Sequence, residues 1–208
     1  LWKHETLIST LSDKTIDRTS KSFHNFVRNL TDGECTKWAL EHFELEKNDF
    51  LNAIPESGIR KGVFGRYQLT VNAAKILQMT FGFSIYEALG PELEALSYHG
   101  ELGRTNLVKW IVDTFHISKP LFRSAGHLFD FQTIKLAAGC GEEETCTFLA
   151  DHFEMTREEL VEHLIDSCAQ SGYEMLKWLD NRIQLTKKEV LESNGTVCST
   201  LKACALDD

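Results

Sequence analysis

Apolar residues recur along this chain at helical intervals, and the same interval pattern returns several times. Leu107, Trp110, Ile111 and Phe115 fall at i, i+3, i+4 and i+8, which is one face of a helix. Met175, Trp178, Leu179 and Ile183 repeat that face, as do Cys35, Trp38, Ala39 and Phe43. Weaker copies run through Lys75-Ile76-Leu77 to Phe81 and through Thr147-Phe148-Leu149 to Phe153, the latter with Thr145 where the other copies are apolar. The last apolar residue of each copy stands at 43, 81, 115, 153 and 183, so successive gaps are 38, 34, 38 and 30. Spacings of this size predict two-helix units stacked in series.

The flanks of each copy carry the same punctuation. Two residues past the terminal apolar position another apolar residue follows: Leu45, Phe83, Ile117, Met155 and Leu185. A helix start comes next. Ser84 with Glu87, Thr156 with Glu159 and Thr186 with Glu189 each fit a capping box, in which a hydroxyl and an acid satisfy free backbone N–H groups reciprocally. Ser118 is followed by Pro120, which is tolerated in a first turn, and the first copy offers Glu46 as a weaker cap. Upstream of the Lys-Trp helix lies a small-residue helix ending at glycine, as in Ala137-Ala138-Gly139-Cys140-Gly141 and Cys168-Ala169-Gln170-Ser171-Gly172. Small side chains let helices approach closely, and glycine supplies the left-handed residue that ends a helix. Val197 to Leu206 has the same character, so the expected last repeat lacks its second helix and the chain reads as a piece of a longer protein.

With these residues in view, the chain resembles the degenerate ankyrin repeats of large protist, algal and giant-virus arrays. In that type a helix ending A-x-x-G leads into one reading V-x-K-W-L-x-x-x-F-x-L-T. Leu136 through Gly141 to Phe153-Glu154-Met155-Thr156 is similar to one such unit, and Ala169–Gly172, Lys177-Trp178-Leu179 and Leu185-Thr186 to the next. Asn106-Leu107-Val108-Lys109-Trp110 is similar to the second helix. The resemblance covers about Cys35 to Leu206 and fades between Pro55 and Gln68. The Thr-Pro-Leu-His tetrapeptide of standard ankyrin repeats is absent, and the segment before each first helix, such as Lys187 to Ser193, reads as a short helix in place of a β-finger. The resemblance implies an α-solenoid used as a protein-docking scaffold, without cofactor or catalytic residues. The expected architecture is all-α, with about five to six stacked helix pairs: an N-terminal capping or eroded repeat over 1–31 and the array over 32–208.

Composition narrows the function classes. Lys+Arg 22 against Asp+Glu 31 gives a formal net charge of −9, and the densest basic stretches, Arg60-Lys61 and Lys187-Lys188, are only pairs. Such a chain does not attract phosphate backbones, so no nucleic-acid partner is expected. No apolar run approaches the roughly 20 residues that span a bilayer, so no membrane insertion is expected either. Six cysteines, Cys35, Cys140, Cys146, Cys168, Cys198 and Cys204, form no CxxC and suit buried free thiols in a reducing, cytoplasmic setting. His42 and His152 hold the same repeat position, which marks them as structural, and no His-x-x-x-His pair accompanies them. Cys140 and Ser171 adjoin glycine but lie in no nucleophile elbow. Gly62 and Gly65 among Arg60, Lys61 and Arg66 lack P-loop spacing. No small-molecule substrate is expected.

One stretch stands apart from the repeat. Val63-Phe64-Gly65-Arg66-Tyr67 sets aromatics and arginine beside glycine, the residue types that dominate protein-binding hot spots. Phe64, Arg66 and Tyr67 are therefore the candidate partner-binding residues, although the same stretch must also supply the first helix of its repeat. The expected function is a protein–protein interaction scaffold that catalyses nothing and binds another protein. A helical accessory domain of an enzyme and an architectural spacer are the alternatives.

Overall fold

The computed structural model describes residues 17–54, 62–66, 68–125 and 130–192, with backbone alone at 191 and 192. Among these residues every regular element is a helix, and there is no strand. The chain divides into two compact units, one made of residues 1–58 and 68–82, the other of 59–67 and 83–208. The boundary expected at residues 31–32 falls inside the first unit.

In the first unit, α1 (Lys21–Arg28) packs on α3 (Lys47–Asn52), and α2 (Gly33–His42) packs on α4 (Val71–Phe81). Asp32 and Thr70 cap α2 and α4 from equivalent positions, and Thr70 donates back to the Thr31 carbonyl at 2.8 Å through its N–H. Trp38 on α2 is half-buried, stacked on His42 at 4.7 Å and edge-on to Phe43 at 5.5 Å. Phe50 is fully enclosed against Phe81.

The second unit holds α5 (Ile85–Leu89), α6 (Glu94–Glu101), α7 (Thr105–Phe115), α8 (Lys119–Arg123), α9 (Gln132–Gly139), α10 (Glu143–His152), α11 (Arg157–Ser171), α12 (Tyr173–Ile183) and α13 (Lys187–Glu192). Its backbone repeats itself from one helix pair to the next. Leu93 and Phe131 precede α6 and α9 with the same left-handed angles, φ 57, ψ 34 and φ 57, ψ 33. Bulky residues rarely adopt that conformation; here both side chains are enclosed in the core, which holds them there. Gly103 and Gly141 then turn the chain at φ +63 and +83, closed by Arg104 N–H to His99 O at 3.0 Å and Glu142 N–H to Ala137 O at 2.9 Å. Downstream, left-handed His116 and Glu154 end the second helices, with Ile117 N–H to Val112 O at 3.1 Å and Met155 N–H to Ala150 O at 3.0 Å. The following copy is shorter and ends at left-handed Gln184. Its shortening has a visible origin: positions 124–131, between Arg123 and Gln132, have no counterpart, and the short and first helices fuse into the 15-residue α11.

Packing follows from the small residues. First helices α6, α9 and α11 lie side by side, and Thr133, Ile134, Ala137 and Ala138 on α9 are fully buried between neighbours. A Cβ on Gly100 would come within 2.9 Å of the Thr133 methyl, so α6 and α9 approach closely. Two buried polar pairs tie the rows: Ser97 to Thr133 at 2.9 Å, and Thr105 to Thr145 at 2.8 Å. Thr145, out of pattern by hydrophobicity, is thus half of an interhelical hydrogen bond. Trp178 donates to Thr147 Oγ1 at 2.9 Å, linking α12 to α10.

The capping boxes form at Ser84, Thr156 and Thr186, and Glu46 forms one with Asp49. A further feature recurs beside them: a cation at the start of a helix reaches the next copy. Arg18, in the turn before the Ser20 cap of α1, donates to Glu44 O at 2.6 Å and to Asp49 at 3.0 Å. Lys47 donates to Gly82 O at 3.4 Å. Lys119 donates to Glu154 O at 3.0 Å and to Glu159 at 2.6 Å. Arg157 reaches Ile183 O and Gln184 O and grips Glu189 through both carboxylate oxygens, at 2.8 and 2.9 Å. Each cation meets the free carbonyls at a helix C-terminus, where positive charge is favoured. The Arg157 hydrogen bonds, with those from Thr186, hold the Glu189 carboxyl down at about 2.

The Thr105–Thr145 pair yields a direct test. Thr105→Val strands a buried hydroxyl and should cost about 1–3 kcal/mol, whereas Thr105→Val with Thr145→Val should recover most of it. Urea unfolding of the four chains of that cycle measures the difference.

Candidate functional site

The Val63–Arg66 segment is a turn docked on the end of α5, and the described residues 62–66 form no helix. Val63 N–H donates to Glu87 O at 2.9 Å and Phe64 N–H to Ala88 O at 2.8 Å, so the turn satisfies helix-end carbonyls. Gly62, at φ +65, allows this approach: a Cβ there would lie 2.4 Å from Ala88 O.

Phe64 is completely buried, with Phe83, Trp110 and Phe115 around it at 5.9, 5.6 and 6.2 Å between ring centroids. His99, itself buried, donates from Nε2 to the Phe64 carbonyl at 2.7 Å. The expectation of a partner surface at Phe64 is corrected here: enclosed on all sides, the ring belongs to the core. Arg66 is half-buried, and Tyr67 lies outside the described residues. The aromatic–arginine constellation is therefore not assembled as one exposed patch by the residues described.

Surface candidates sit on the first helices. Tyr98 on α6 and Leu136 on α9 occupy equivalent positions in successive copies and are half-exposed, with Lys135 beside Leu136. Large apolar side chains that stand well out of the surface are Met79, Tyr86 and Tyr173. The first unit has an open depression of about 290 Å³ lined by Asp32, Gly33, Glu34, Asn72, Lys75 and Ile76. Its charges are mixed, and the Asp32 carboxylate is committed to capping α2 through Glu34 and Cys35 N–H.

The titratable groups sort by enclosure. Cys146 and Cys168 are buried; burial raises both thiols far above their ordinary range, Cys168 to about 12. Cys35 and Cys140 are also raised, by burial first and then by Asp32 and Glu101 respectively. A raised thiol is a poor nucleophile at neutral pH. His152 packs on Phe148 at 5.3 Å, as His42 does on Trp38, so the shared position has a shared packing role. His163 leans on Phe131 at 5.1 Å, and burial, then Lys135, keep its pKa low. Among the described residues no group of three or more His, Cys, Asp or Glu side chains is placed to hold a metal ion, and no helix is long and apolar enough to cross a membrane.

No protein family, curated protein or solved structure was found to match this chain.

The residues missed in the sequence are the cations at the helix starts. For those after a cap the signal is present as dipeptides, Glu46-Lys47, Ser118-Lys119, Thr156-Arg157 and Thr186-Lys187, with Ser84-Ile85 as the departure, whereas Arg18 stands before its helix's cap, Ser20.

Phe64→Ala should destabilise the protein by about 3–5 kcal/mol through cavity formation, and Arg66→Ala, at a half-buried position, by less. Thermal unfolding of the two variants measures the difference. Alkylation followed by peptide mapping should label Cys140 in the native protein, and Cys146 and Cys168 only in denaturant.

Proposed function

We propose that this chain is an ankyrin-like array of helix-pair repeats that binds another protein and performs no catalysis. The observation that carries this reading is the recurrence of backbone conformation between successive copies, from Leu93 to Phe131, Gly103 to Gly141 and His116 to Glu154. Stacked pairs of this kind have no interior cleft of their own; what they offer is a row of first helices and adjoining turns. In this reading the contact surface is the first-helix face that carries Tyr98, Lys135 and Leu136, with Arg66 on the turn docked against the end of α5. No cofactor, nucleic acid, membrane or small-molecule substrate enters the reading. Its setting is intracellular and reducing, which suits the free thiols of Cys35, Cys140, Cys146 and Cys168.

A purely architectural spacer is the second reading, favoured by how few large apolar side chains stand exposed among the described residues. The two readings separate by photo-crosslinking in the native cell, with a photoreactive phenylalanine at Tyr98 or, as a control on the opposite helix row, at Asn181. A recruiting scaffold gives a discrete protein adduct from position 98 and none from 181. Failure to form a discrete adduct at 98 removes the recruiting role.

A further inference from the structure

We propose that the contact between His163 and Phe131 is an acid-sensitive joint: when the imidazole takes up a proton, α9 loosens from α11. His163 stands on α11 with its side chain only 9% exposed, and its ring leans on the Phe131 ring at 5.1 Å between centroids. It makes no hydrogen bond among the described residues. Its nearest acid is a Glu162 oxygen 3.9 Å from Nε2, on a carboxylate that is 73% exposed.

A proton arriving there meets more repulsion than attraction. Arg123, at the end of α8, already lays its guanidinium over the same Phe131 ring at 5.6 Å. Lys135 on α9 and Asp130, just ahead of Phe131, also bear on the imidazole. Asp130 is committed to Arg123 at 2.7 Å, and Glu162 stands largely in water, where its attraction is screened. Glu159 and Asp166, a turn to either side on α11, act on it less than these, and Glu159 is held by Lys119 at 2.6 Å. The imidazolium is thus a buried cation near two others, with no acceptor of its own. Burial first, then Lys135, hold the imidazole below its ordinary value of about 6.5. As pH falls through that value the opened form takes the proton first, so stability present above it is lost below.

Phe131 gives the contact its leverage. It is fully buried and holds φ 57, ψ 33 directly before α9, a conformation that persists because the ring is enclosed. His163 and Phe122 are two walls of that enclosure, at 5.1 and 5.6 Å. When one wall withdraws, the strained residue relaxes and the start of α9 shifts with it.

The inference stands on this contact and is independent of recruitment at Tyr98. Proton NMR of the whole chain should show the His163 imidazole titrating below about 6.5. Hydrogen exchange at residues 132–139, corrected for its intrinsic dependence on pH, should lose protection severalfold between about pH 7.5 and 5.5, with about tenfold as the ceiling for one proton. His163→Phe keeps a ring against Phe131 and removes the proton site, so its protection should hold across that range; His163→Leu serves the same comparison if the larger ring does not fit. Lys135→Met should shrink the loss. An imidazole that titrates at or above 6.5 overturns the proposal, as does protection at 132–139 that fails to fall in the natural chain or falls equally without the imidazole.

Discussion

A helix as short as these cannot cover itself. Every first helix in the second unit has two flanks to bury, and α9 shows what that demands: Thr133, Ile134, Ala137 and Ala138 are all sealed, each by a neighbour in the row or by the paired second helix. This need for cover on both sides governs the rest. It selects small residues, since Gly100 and Ala138 let axes come close, and it admits polar residues only in pairs, as with Ser97–Thr133 and Thr105–Thr145. It also explains why buried leucine and phenylalanine tolerate left-handed backbone before α6 and α9. The hydrophobic anchorage of Leu93 and Phe131 offsets a conformational cost of about 1–2 kcal/mol per residue.

Much of this was legible in the residues. The second helices end where the apolar spacing places them, at Phe115, near Phe153 and at Ile183, and Ser84, Thr156 and Thr186 cap the helices that follow. These features are local, depending on one turn of chain and its own side chains. What escaped was non-local. Phe64 beside glycines had the composition of a contact surface, but three aromatic rings distant in sequence enclose it. Thr145 looked like an erosion of the pattern because its partner, Thr105, lies 40 residues away. The fusion of two helices into α11 was hidden in the shortened gap between Phe153 and Ile183.

The cations after the caps sit between those two cases. Each dipeptide is visible in the sequence, but its meaning depends on which carbonyl the next copy brings within reach. Exposed ion pairs contribute little stability singly. Their effect here is geometric: a lysine or arginine tied to both a helix-end carbonyl and a capping acid, as with Lys119 and Arg157, fixes how one pair is set against the next. Apolar contact alone is less particular about such offsets.

The fused helix α11 shows how unevenly the pairs accommodate change. The stretch between α8 and α9 has no counterpart there, and Gly172 stands directly before α12 at φ +122, but the left-handed second-helix end and the cation grip are kept. Insertions and deletions can therefore accumulate along one edge of such an assembly without disturbing how its members meet. The likeness between neighbouring pairs is accordingly plainer in their backbone angles, from Leu93 to Phe131 and from His116 to Glu154, than in the spacing of their residues.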